Sequence, residues 1–176
     1  GFGKAALLER VKEFGQTYDR QGPDDDGEYS CELDEASPSF GDGHLAADVE
    51  GLTIYHDGPG APSLPSGGYL LASSQGDDTF AAYLRTPVAG KLQHLGQFEV
   101  VDGAIDGVQE SDGATIVEAS LPQGFAKGLF VTQDGDAQPE SDTEDRDATA
   151  FKLARWADVA RAAGLQTDTS FDPRTP

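Results

Sequence analysis

LTIYHDGPGAPSLPSGGYLLASSQGDDTFAAYLR, residues 52–85, decides the fold. It contains three short apolar runs, Leu52–Tyr55, Tyr69–Ala72 and Phe80–Leu84, separated by Gly, Pro and Asp clusters. Runs of this length, rich in Tyr, Phe, Leu and Ile and bounded by turn residues, are strands rather than helices. Their short connections predict three neighbouring antiparallel strands. The rhythm continues outward through LGQFEVV (95–101), ATIVEA (114–119), GLFVTQ (128–133) and TAFKLA (149–154). Evenly spaced short strands of this kind build an all-β sandwich, barrel or propeller. Only the tail from Trp156 to Ala163 has helical character, with Trp156, Val159 and Ala160 on one side and Gly164 as a stop. No strict repeat is present.

The first forty-three residues read differently, and they divide the chain into a loop-rich segment, 1–43, and a β unit, 44–176. AALLERVKEF (5–14) places Leu7, Leu8, Val11 and Phe14 on one helical face, or forms a strand around Arg10–Phe14. Residues 15–43 are polar and turn-rich, with Asp24–Asp25–Asp26 in a row, and read as a solvated loop.

Composition narrows the function classes. The chain has 176 residues, 32 acidic against 12 basic, for a net charge of −20. A surface this acidic repels phosphate backbones and excludes non-specific nucleic-acid binding. No apolar run is long enough to cross a bilayer as a helix. The single cysteine, Cys31, cannot close an internal disulfide. The chain has no Met and opens Gly1-Phe2-Gly3, with no signal peptide to read, which fits a processed product or an excised fragment.

The carboxylates collect in three places. Asp48-Val49-Glu50-Gly51 leads directly into the run at Leu52. In extended chain, residues two apart project to one face, so Asp48 and Glu50 point together. Two like charges so close want a cation or a shared proton, and calcium accepts such oxygens; two solvated carboxylates at a strand edge is the plainer alternative. The second cluster, DGAIDGVQESDG (102–113), holds Asp102, Asp106, Glu110 and Asp112. It fails the EF-hand template, because Ala104 and Gly113 stand where ligands are required. The third cluster, Gln133-Asp134-Gly135-Asp136, follows the GLFVT run. Each loop taken singly reads first as an ordinary Asp-Gly turn. His44, His56 and His94 lack metal spacing and read as structural or surface residues, and no G-x-S-x-G elbow, Walker loop or C-x-x-C occurs. Asp48-x-Glu50 also fails the aspartyl-phosphate motif of haloacid-dehalogenase phosphatases, which follows a strand and wants a second Asp.

Four blocks in order, DVEGLTIY (48–55), GGYLLASSQGDDTFAAY (67–83), GLFVTQDG (128–135) and FKLARW (151–156), closely resemble the β-propeller phytases over about residues 44–173. The resemblance implies part of a six-bladed β-propeller, its C-terminal blades, ending in a short helix. It implies a 3-phytase-type phosphatase that uses Ca²⁺ to hydrolyse phytate, or calcium-phytate, with a metal-activated water as nucleophile. Asp48 and Glu50 match carboxylates of the phosphate-cleaving calcium site, Gln75 matches a polar residue lining that channel, and Asp112 matches a further acid of the cluster. Asp106, Gly107 and Asp134 fall where the family binds a structural calcium between loops. The 102–113 loop is one residue shorter than the usual pattern, and Asp147-Ala148-Thr149-Ala150 stands where Asn is usual.

The chain is about half the usual propeller length, so the basic residues that the family contributes from its first half are absent. The missing N-terminal blades are therefore expected partners. The family further implies a secreted or periplasmic bacterial protein. The alternative from a different class is a non-catalytic, calcium-stabilised β module or an inactive propeller fragment.

Overall fold

A computed structural model describes residues 7–25, 27–58, 64, 67–138 and 148–171. Asp26, Asp147 and most of the 59–66 turn cluster lie outside the described residues. Nine strands and one helix follow one another along the described chain. They are β1 (Tyr18–Gln21), β2 (Ser30–Leu33), β3 (Leu52–His56), β4 (Gly68–Ser74), β5 (Thr79–Leu84), β6 (His94–Phe98), β7 (Ala114–Val117), β8 (Leu129–Asp134), β9 (Ala150–Arg155) and α1 (Trp156–Ala162).

The strands form three antiparallel sheets. The hairpin β1-β2 stands alone, β3-β4-β5-β6 is a four-stranded meander, and β7-β8-β9 is a three-stranded one. The protein is thus all-β apart from α1. The expected strand trio pairs as read, with Tyr55 opposite Tyr69 and Tyr69 opposite Leu84. The run at 95–101 ends as a strand at Phe98, because the Val100 carbonyl accepts the Val108 N–H of the next loop instead of continuing the ladder. The helix stops at Gly164, whose φ of +68° suits a glycine.

The two larger sheets stack face to face. Tyr55, Tyr69, Leu71, Phe80 and Phe98 of one meet Ile116 and Phe130 of the other, with Trp156 and Val159 of α1 filling the rim. Phe80, Phe98 and Phe130 form an aromatic centre with ring centroids 5.2–5.6 Å apart. Because β4 and β5 are buried on both faces, their second face needs cover of its own. Ala72, Ala81 and Tyr83 find it against Leu45 and the half-buried Val11.

That second contact explains residues 7–14, where neither a helix nor a strand forms. An isolated helix of this length barely pays its nucleation entropy. The chain instead runs beside 40–45: Lys12 N–H donates to the Leu45 carbonyl, Phe40 N–H to the Phe14 carbonyl, and Glu9 accepts from His44 N–H and the Tyr83 hydroxyl. Leu7 and Phe14 stay exposed. Among the described residues of the polar 15–43 stretch, only the exposed β1-β2 hairpin is regular. Among the described residues no helix is long and apolar enough to cross a membrane.

Candidate functional site

The starts of β3 and β7 meet, and this gathers the turns at one end of both sheets. A Cβ built on Gly51 would lie 2.4 Å from the Gly113 Cα, so the two chains approach as only glycine permits. Ser73 N–H donates to the Gly51 carbonyl and Gln133 N–H to the Gly113 carbonyl, extending each ladder by one bond toward this end.

Gln75 is the hub. It opens the tight turn Gln75–Asp77 between β4 and β5, and its backbone N–H donates to the Asp48 carbonyl at 3.0 Å. Its side-chain Nε2 donates to Asp112 Oδ1 and to the Glu110 carbonyl, both at 3.3 Å. The Glu110 N–H donates to Asp78 Oδ1 at 2.8 Å, and the Asp112 N–H to Gln133 Oε1 at 2.7 Å. On the other side, buried Ser73 accepts from the N–H groups of Glu50 and Gly51. The segment bearing Asp48 and Glu50 is therefore tied to the loop bearing Asp112 through Gln75 and Ser73. Three of the expected site residues thus share one network, and Glu50 adjoins it.

The electrostatics of this end are one-sided. Asp48, Glu50, Asp78, Glu110 and Asp112 are all exposed. Among the described residues no ion pair involves any of them. Lys12 pairs with Asp77 of the adjoining turn, and the other carboxylates, beside an amide and several carbonyls, are hard oxygens of the chemical type that Ca²⁺ accepts. Among the described residues no three His, Cys, Asp or Glu side chains converge as they would on one metal ion. A cation here would draw on amide, carbonyl or water oxygens as well.

Asp106, Gly107 and Asp134 lie in a second, separate network. Lys152 of β9 points inward and places Nζ 3.0 Å from Asp134 Oδ2, 3.2 Å from Asp106 Oδ2 and 3.1 Å from the Asp106 carbonyl. Asp134 is fully buried, and its Oδ1 accepts the Gln109 N–H. Asp106 Oδ2 also accepts the Gln138 N–H, and Gly107 N–H donates to Asp102. The Gln138 N–H and the Lys152 ammonium hold the Asp106 carboxyl below its usual range. Burial pulls the Lys152 ammonium down, but the two aspartates outweigh it and hold it up.

The histidines take structural places. His44 and His94 stack with ring centroids 3.7 Å apart, and burial keeps His94 biased to the neutral form. His56 stacks on Phe171 at 4.5 Å. Its N–H donates to Glu118 Oε1 at 2.9 Å, and burial pushes the Glu118 carboxyl up to about 7.

Sequence reasoning missed two participants. Asp78 sat in the QGDD punctuation between strands, and its φ of +53° turns the chain into β5. Lys152 sat in a strand where alternation sends a lysine outward. Its neighbours invert that reading: Phe151 and Leu153, the large apolar residues, are the exposed ones.

The family model described as Phytase matches residues 19–175. The chain is 37% identical over 127 residues to the 3-phytase of Bacillus subtilis (strain 168), covering 71% of this chain and 30% of that protein. The chain thus spans less than a third of the length of the curated relative it matches.

Proposed function

This chain belongs to the Phytase family, and on that premise we propose that it is part of a calcium-dependent phosphomonoesterase that hydrolyses phytate to lower inositol phosphates and phosphate. The observation that carries the reading is the Gln75 network, which ties Asp48 and the Asp112 loop into one acidic end, where Lys12 pairs with Asp77 of the Gln75–Asp77 turn but, among the described residues, no ion pair reaches Asp48, Glu50 or Asp112. Asp48, Glu50, Gln75 and Asp112 would hold Ca²⁺. When bound, calcium supplies positive charge for phosphate oxygens and acidifies an attacking water.

The protein's own groups do the rest. Asp48 and Glu50 present oxygens at the open end of β3 and act as metal holders, not as nucleophiles. Gln75 fixes Asp112 and the Glu110 carbonyl through its amide N–H groups. A net charge of −20 repels a polyanionic substrate, so this end must be neutralised before phytate or calcium-phytate binds.

A propeller accounts for the sheets. The β3–β6 meander has the four strands of a blade, whereas β7–β9 has three. The outer face of β7–β9 exposes Val117, Phe151 and Leu153, which a neighbouring blade would cover. On this reading the chain supplies C-terminal blades, N-terminal blades of a longer protein complete the channel, and the protein is secreted or periplasmic.

Phosphate release from phytate, measured on the phytase-length protein with calcium and with excess chelator, tests the reading. Turnover that is abolished by the chelator and restored by calcium supports it. Equal turnover in both conditions, or none in either, rejects it; none together with calcium-raised thermal stability points to a non-catalytic calcium-stabilised module.

A further inference from the structure

We propose that the Lys152 ammonium is the resident cation at the junction of the 102–108 loop and the 134–138 turn, standing where a structural calcium was expected, and that this clip positions the loop bearing Asp112. The inference does not rest on the phosphatase reading.

Three oxygens at this junction already face the ammonium. Nζ lies 3.0–3.2 Å from Asp134 Oδ2, at the end of β8, and from Asp106 Oδ2 and the Asp106 carbonyl in the 102–108 loop. The remaining Asp134 oxygen accepts the Gln109 N–H, and Asp106 Oδ2 is shared with the Gln138 N–H. Asp136 is turned to the Gln138 side chain at 2.9 Å. A calcium ion needs six to eight oxygens at about 2.3–2.6 Å. To sit here it would displace the ammonium, because two cations sharing the same three oxygens repel each other. Lys152 and Asp134 are 11% and 0% exposed in their side chains, so the pair is interior. Asp106, Gly107 and Asp134 therefore do not fit calcium while Lys152 is in place.

The clip reaches the acidic end by a short route. Asp134 holds the Gln109 N–H, and the Gly135 N–H holds the Gln109 carbonyl. Three residues on, Asp112 N–H donates to Gln133 Oε1, the neighbour of Asp134. Lys152 is thus a positioning residue for Asp112, acting through Asp134 and the 109–112 backbone.

The test is calcium-binding stoichiometry by titration calorimetry, with thermal melts in chelator, on the wild-type chain and on Asp106→Asn, Lys152→Met and Lys152→Arg. Wild type and Asp106→Asn are expected to bind the same number of calcium ions. Lys152→Met should melt roughly 10 °C lower in chelator and bind calcium about tenfold more weakly, with Lys152→Arg recovering most of both. An Asp106→Asn protein that binds one calcium fewer overturns the inference, as does a Lys152→Met protein that melts like wild type in chelator. Should Lys152→Met fail to fold, the Asp106→Asn stoichiometry still decides. A wild-type chain that binds no calcium sinks the proposed function instead and leaves the melts to judge the clip.

Discussion

A methyl group on Gly51 would sit 2.4 Å from the Gly113 Cα, whereas one on Gly113 would sit 3.6 Å from the Gly51 Cα. The contact between the two sheets is therefore asymmetric. Gly51→Ala must push β3 and β7 apart or bend the Asp112 carbonyl away, and should cost about 1–3 kcal/mol. Gly113→Ala meets only ordinary van der Waals contact there and should be nearly neutral. Denaturant melts of the two variants check this, and equal stabilities would show that the strand starts give way easily.

Phe130 is fully buried and meets both Phe80 and Phe98 edge-on. Phe130→Ala opens a cavity between the sheets and should cost about 3–5 kcal/mol. That corresponds to a drop of roughly 10 °C or more in melting temperature for a chain of this size. Calorimetry on the variant reads it directly.

Glu118 gives stability a pH dependence of a definite sign. Its carboxyl titrates near 4.5 when unfolded and is raised to about 7 by burial, with Arg85 lowering it and Asp168 raising it. A raised acid contributes stability that is fully present below about 4.5 and is lost as pH rises through about 7. Glu118→Gln keeps an oxygen for the His56 N–H and removes the titration. The difference in melting temperature between wild type and variant should shift in the variant's favour from pH 5 to pH 8. A difference that stays flat over that range would mean Glu118 does not titrate there.

Gln75→Ala removes both side-chain bonds to the 110–112 loop. Calcium binding at the acidic end should weaken by about 10–100-fold, as for other groups that orient or supply ligands. Thermal stability in chelator should change little, because Gln75 is only half-buried. Isothermal titration with calcium separates the two effects.

Asp48→Ala with Glu50→Ala, placed in the phytase-length protein, should lower calcium-dependent phytate turnover by orders of magnitude with the fold retained. Circular dichroism beside the phosphate assay distinguishes lost chemistry from lost structure. Near-normal turnover in the double variant would move the chemistry elsewhere.

The strands were legible because their alternation and their Gly, Pro and Asp punctuation act locally. Leu52–His56, Gly68–Ser74 and Thr79–Leu84 begin and end within a residue or two of the apolar runs. The run at 95–101 stops short because Val100 bonds Val108, in the loop eight positions on, which no local pattern records. The stretch 7–14 misled for the same reason: its partners, Leu45 and Tyr83, are remote in sequence. The Gln75, Asp48 and Asp112 grouping came from family resemblance, and the structure supplies the bonds that join them. Lys152 stayed hidden because its inward direction depends on which face of β9 is covered. That face follows from the pairing of Thr132 with Lys152, a tertiary fact.

The uncovered outer face and free edge of β9 have a colloidal consequence. Among the described residues no strand pairs with the outer edge of β9, and an edge flanked by Phe151 and Leu153 invites another strand. What keeps two such molecules apart is the long-range repulsion of a −20 coat. Electrolyte shortens that repulsion to roughly 8 Å at physiological strength. Dilute buffer therefore keeps the isolated chain dispersed, and brine removes the barrier at β9, where an edge strand and an apolar face coincide.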